Sequence, residues 1–200
     1  MAPAELVTGV SLAPVVIRDL AEGCVAFVQR SLGVALDYTA ETLPLLDHYL
    51  AQAREDANAR PETVPLLVQS AGAYFGEVVR RRHPSFWCVD GDDASAYRIA
   101  FEQVYLSLRP AELMREALLG GEASMDASGA TPGLELEEGD RRAVSQRLAE
   151  LPDVSEAEYY APSTRLEVID IAVEATHARR MAEAGRALSL GSADYESDAS

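Results

Sequence analysis

The chain has 200 residues with 33 acidic and 17 basic side chains, a formal net charge of −16, and every base is an arginine. That charge repels nucleic-acid phosphates and anionic membrane surfaces, so neither is expected as a partner. At 48% hydrophobic residues the chain can bury a sizeable core and is not globally disordered.

The acidic excess is uneven. Residues 1–100 carry 13 acids and 8 bases, while residues 101–200 carry 20 acids and 9 bases. Such a surplus serves solubility or a basic protein partner. Cys24 and Cys88 make no disulfide framework and are expected as buried, reduced thiols. Residues 1–14 lack the basic region and long apolar core of a secretory leader, and no stretch reaches the ~18 apolar residues of a membrane span. A soluble cytoplasmic protein is the expectation.

Residues 14–32 show helical spacing, with Ile17, Leu20, Ala21, Cys24, Val28 and Leu32 on one stripe and Gly33 as the stop. A second helix runs to about residue 56. Thr42 is its expected N-cap, since Pro44 fits only a first turn. Residues 63–82 repeat that design with Thr63 and Pro65. Leu67, Ala71, Tyr74 and Val78 form the third helix's face, widened by Phe75 and Val79. Gly72 and Gly76, one turn apart, predict a tight crossing. Arg80–Arg82 sit where the helix dipole favours cations, and Pro84 ends the helix with His83 pushed extended.

Next, Trp87 and Val89 alternate with Phe86 and Cys88, and Tyr97, Ile99 and Phe101 alternate with Arg98 and Ala100. Asp90-Gly91-Asp92 predicts a turn between these strands. Residues 104–108 read as a third strand or a continuation of the second. A short helix over 109–119 stops at Gly120-Gly121. Residues 121–139 read as an acidic flexible loop, 140–190 as a helical C-terminal extension and 191–200 as a disordered tail. Within the extension the strongest helix spans 163–189, capped by Ser163, with Leu166, Ile169, Val173 and Leu188 apolar. The expected class is α+β: residues 1–120 place N-terminal helices on a small antiparallel sheet.

Asp37-Tyr38, Glu41-Thr42-Leu43, Leu46-Asp47 and Leu50 are followed by the run Gly72–Arg81 and by Trp87. Together they resemble the pattern LDY..ESL..LD..L / GAYLGEVIRR..W of a loosely defined group of uncharacterised bacterial domain-of-unknown-function proteins. The resemblance spans about residues 34–110. It implies helices packed on a small antiparallel sheet and carries over no catalytic residue.

Few constellations carry chemistry. Glu77 precedes Arg80 and Arg81 at i+3 and i+4, the favourable order for an ion pair. Dehydrated instead, it would titrate upward as a base. Arg80–Arg82 with His83 form a basic cluster able to fork onto a carboxylate or phosphate, or to neutralise the chain's own acids. His48 adjoins Asp47, but neighbouring helical residues diverge; His83 and His177 stand alone. The run at 90–93 opens like a calcium loop, yet Phe101 stands where the closing glutamate belongs. No metal or other cofactor is expected. No GxSxG, Walker loop or strand-linked GxGxxG is present, and no catalytic residue is assigned. Tyr159 and Tyr160, in a polar linker, are candidate contact residues.

These features point to a non-enzymatic protein-binding module of the immunity, antitoxin or accessory-regulator kind, engaging a basic partner. The loop 121–139 and the acidic face of 135–158 are its expected surfaces. Candidate ligand- or partner-binding residues are Glu77, Arg80, Arg81, His83, Tyr159 and Tyr160. A rival reading is a small-ligand binder or hydrolase-like enzyme using Glu77, Arg81 and His83 in one pocket. A third is an acidic DNA mimic.

Overall fold

The computed structural model describes residues 12–89, 91, 93–120, 133–185 and 188–195. Three helices come first: α1 (Val15–Leu32), α2 (Leu43–Ala59) and α3 (Val64–Arg82). α1 buries Ile17, Ala21, Cys24 and Val28, the stripe its spacing predicts, and ends at Gly33 with φ 74°. That left-handed backbone is what selects glycine at the stop.

The starts of α2 and α3 differ from expectation. Each is led in by one 3-10 turn, Ala40–Thr42 and Pro61–Thr63, with proline at the second helical position. Thr42 and Thr63 are therefore already in helical backbone and cap nothing with their side chains. The Thr42 hydroxyl instead donates to Asp37 at 2.9 Å, and that of Thr63 donates to the Arg60 carbonyl at 2.8 Å.

α3 is the centre of the molecule: Ser70 through Val79 are all buried. A helix buried on every side needs space for backbone on more than one side, and the two glycines provide it. A Cβ on Gly72 would stand 2.7 Å from the Ala111 backbone, and one on Gly76 would stand 2.4 Å from the Trp87 indole. The helix stops at His83, whose extended backbone (φ −126°, ψ 140°) precedes Pro84.

The chain then forms β1 (Ser85–Cys88), β2 (Arg98–Phe101) and β3 (Leu106–Leu108). Helix α4 (Pro110–Leu119) follows, then β4 (Leu134–Leu136). The sheet order is β1-β2-β3-β4, antiparallel throughout, with Trp87 opposite Ile99, Ile99 opposite Leu108 and Leu108 opposite Leu134. Ile99, Leu106 and Leu108 are wholly buried. The fold is α+β, as expected. Residues 104–108 resolve into a separate third strand starting at Leu106. Gly91 in the β1–β2 connection has φ 75°, while Asp90 and Asp92 lie outside the described residues.

The second half departs further. The expected loop 121–139 yields strand β4 and the start of α5 (Glu138–Leu148); its residues 121–132 lie outside the described ones. α6 (Glu156–Tyr160) opens with a capping box, in which the Ser155 side chain accepts from the Glu158 N–H and the Glu158 side chain accepts from the Ser155 N–H. α7 (Pro162–Ala184) ends at Gly185, φ 64°, short of residue 189. Ser163 is inside it and caps nothing; its N–H donates at 3.1 Å, and its hydroxyl also donates, to Asp47 on α2.

The helical stretch 140–190 packs on the elements before it. α7 packs on α2 and α4 as well as α5, and Leu166, Ile169 and Ala172 join the same core cluster as the N-terminal helices. The expected disordered tail likewise contains a short helix, α8 (Ser192–Tyr195), with Tyr195 buried; residues 196–200 lie outside the described ones. Among the described residues no helix is long and apolar enough to cross a membrane.

Candidate functional site

Glu77 projects from the middle of α3 and is 4% exposed. Arg80, one turn later, grips both its oxygens, Nε to Oε1 at 2.7 Å and Nη2 to Oε2 at 2.8 Å. The Trp87 indole N–H donates to Oε1 at 2.8 Å. Burial alone would raise the carboxyl's pKa. The bonds from Arg80 and Trp87, with the charges of Arg80 and Arg81, outweigh it and hold the group below its ordinary range. Glu77 is thus an ionised, fully engaged carboxylate tying α3 to β1.

Arg81 and His83 point elsewhere. The Arg81 guanidinium lies 4.1 Å above the Tyr38 ring, a cation–π contact with the segment leading into α2. His83 Nε2 lies 2.7 Å from Asp170 Oδ1, the oxygen that also accepts from Arg82 Nε at 2.7 Å. This carboxylate pins the end of α3 to α7. Glu77, Arg81 and His83 therefore have three separate partner sets and do not converge.

Tyr159 and Tyr160 close α6 with their rings edge to face, 5.1 Å apart. They cover the Arg165 guanidinium, which is 4.4 Å from one centroid and 5.2 Å from the other. Arg165 is 1% exposed and donates through Nη2 to Glu116 Oε2 at 2.7 Å. Its Nε and Nη1 have no hydrogen-bond partner. Nearby, Arg54 reaches from α2 to the last carbonyls of α4, donating to Leu118 at 2.9 Å and Ala117 at 3.2 Å. The spacing of the sequence identifies neither Glu116 nor Arg165; the partners are 49 residues apart, and only their chemistry in an apolar helix face marks them.

Several other arginines are spent in the same way. Asp140, wholly buried at the start of α5, takes Arg179 at 2.6 Å and Arg180 at 2.9 Å. Glu135 on β4 takes Arg109 at 2.9 Å. Among the described residues many arginines are thus drawn to the chain's own carboxylates, and other acids face solvent.

One exposed acidic stretch runs from the end of α5 into α6. Residues 149–159 are exposed without interruption. This stretch holds Glu150, which pairs with Arg147 just before it at 2.8 Å, together with Asp153, Glu156 and Glu158, and contains no base of its own. It also presents Leu151, Val154 and Tyr159, exposed by 48%, 50% and 37%. Carboxylates alternating with bare apolar side chains form a contact strip, and Tyr159 is its fixed end because Arg165 lies beneath its ring.

Two concavities lie elsewhere. A groove of about 520 Å3 between α1 and α2 is lined by Phe27, Arg30, Tyr49, Gln52, Asp56 and Arg60. A cavity of about 120 Å3 adjoins Tyr195. Neither is lined by Glu77, Arg80, Arg81, His83, Tyr159 or Tyr160. Among the described residues no three His, Cys, Asp or Glu side chains group as metal ligands do.

Comparison with protein-family models, curated proteins and solved structures finds no match to this chain. The pattern resemblance over residues 34–110 therefore adds no role for any residue, and the geometry alone supports a reading.

Proposed function

We propose that the chain is a non-enzymatic module that captures a basic protein partner, as an immunity protein, antitoxin or accessory regulator does, on the exposed strip 149–159. The observation that carries this is the uninterrupted exposure of four carboxylates and three apolar side chains with no intervening cation. Carboxylates steer a cationic surface in and fix its register, while the apolar side chains supply contact area. Tyr159, held over a buried guanidinium, meets the partner preorganised.

The test is fluorescence anisotropy of a labelled amphipathic peptide of alternating lysine and leucine. Binding weakens as salt rises from about 0.05 M to about 0.5 M. Combining Asp153→Asn, Val154→Ser and Glu156→Gln weakens it at least about tenfold. Removing the same number of exposed acids from α1 and α2, through Asp19→Asn and Glu55→Gln, changes it less than about twofold. Equal losses from both sets would mean that the peptide reads only the net charge, and the proposal would fail.

A further inference from the structure

Residues 188–195 lie against the β2–β3 connection on a side chain, not on a surface. Among these residues only Tyr195 is buried; Ser189 and residues 191–194 are exposed. The backbone adds little: the Leu190 N–H donates to the Glu102 carbonyl at 2.8 Å, and the Tyr105 hydroxyl donates to the Asp194 carbonyl at 3.4 Å.

Tyr195 itself is closely held. Its ring stacks on Tyr105, centroids 4.9 Å apart and planes within 6°, and meets Phe86 edge-on at 6.0 Å. Its hydroxyl lies 2.7, 3.0 and 3.1 Å from the carbonyl oxygens of Phe101, Val104 and Leu106, and it accepts from the Leu106 N–H at 3.3 Å. A phenol has one hydrogen, so three acceptors and one donor converge where a single hydroxyl fits. The irregular backbone between β2 and β3 builds this socket. Beside it opens the cavity of about 120 Å3, walled by Arg98, Tyr105, Ser107, Glu135 and the Tyr195 ring.

A segment with one buried side chain opens by losing that side chain, without unfolding the core. We propose that residues 188–195 are a detachable strap, that Tyr195 fills a phenol-recognition socket, and that the vacated socket takes a tyrosine-bearing peptide in trans. Tyr195 of the chain itself is the ligand already in place. This inference concerns the sheet side of the molecule and is independent of the strip 149–159.

Two measurements on the full chain test it. In native-state hydrogen exchange, the Leu190 amide exchanges at least about tenfold faster than the amides of α3. In the Tyr195→Ala chain, a labelled peptide of residues 188–200 binds, and the wild-type chain does not take it up at the same concentration. The same peptide carrying Tyr195→Phe binds about tenfold more weakly, because the carbonyls then meet no donor. Any of three results overturns the proposal. The Leu190 amide exchanges only together with α3; the Tyr195→Ala chain loses its folded near-UV spectrum, or folds without binding the peptide; or both peptides bind equally.

Discussion

The Glu77–Arg80 and Glu116–Arg165 pairs are both buried, yet they are built in opposite ways. The first spans one turn of α3, is two-pronged, and gains a third donor from Trp87. The second joins α4 to α7 across 49 residues through one bond, leaves two guanidinium nitrogens without acceptors and is roofed by tyrosine rings. A buried pair contributes stability only when hydrogen bonds replace the water it loses. The first meets that condition. The second meets it in part, and its value lies in fixing how α7 docks.

The contrast is sharpest under paired substitution. Glu116→Leu alone costs about 3–5 kcal/mol, because it strands a guanidinium that is already short of acceptors. Adding Arg165→Met recovers most of that loss, since the orphaned donors go with the charge. At the other pair, Glu77→Leu with Arg80→Met stays about 1–3 kcal/mol below the wild type, because the Trp87 N–H keeps no acceptor. Urea unfolding of the two double variants measures this; equal recovery would erase the distinction.

A smaller effect comes from acid. The folded Glu77 carboxyl is depressed below its ordinary value of 4.5. Its stabilisation is therefore complete above that value and is lost as pH falls through the folded one. Glu77→Gln lacks this ionisation, so its stability deficit against the wild type shrinks between about pH 6 and about pH 3. Urea midpoints across that range read the effect, and a deficit independent of pH would show that no depressed carboxylate is at work.

The smallest effect separates neighbours in sequence. Arg81→Ala costs only about 0.5–1 kcal/mol, the worth of a half-exposed cation–π contact with Tyr38. Its loss leaves the acid response of Glu77 nearly intact. A penalty as large as that of removing Glu116 would place Arg81 inside the Glu77 knot after all.

How much of this was legible in the residues follows from distance along the chain. The stripe of α1, the proline positions in α2 and α3, the notches at Gly72 and Gly76 and the stop before Pro84 are all local patterns, and each is read directly. Glu77 with Arg80 was equally legible, one helical turn apart. Strand β4 was not: Leu134-Glu135-Leu136 is three residues in a Gly- and Glu-rich stretch, and its pairing with β3 supplies what propensity lacks. Tyr195 carries no stripe at all, because a single side chain placed by three carbonyls of another segment has no period. The threonine caps misled for a related reason. Threonine before proline fits a cap, but the chain had already turned through one 3-10 step, which placed the hydroxyl outside the helix it was expected to close.

The bond from Ser163 to Asp47 has a consequence for the order of assembly. Ala161, the residue preceding α7, has no side-chain acceptor, and the first turn of that helix is met instead by a carboxylate 116 residues upstream. Part of the instruction for where the last long helix begins is thus written in α2. A peptide of residues 161–185 keeps Pro162 at the helix start but lacks this acceptor. On the ribosome the acceptor has already been synthesised when Ser163 emerges, so vectorial synthesis matches the direction in which the information flows.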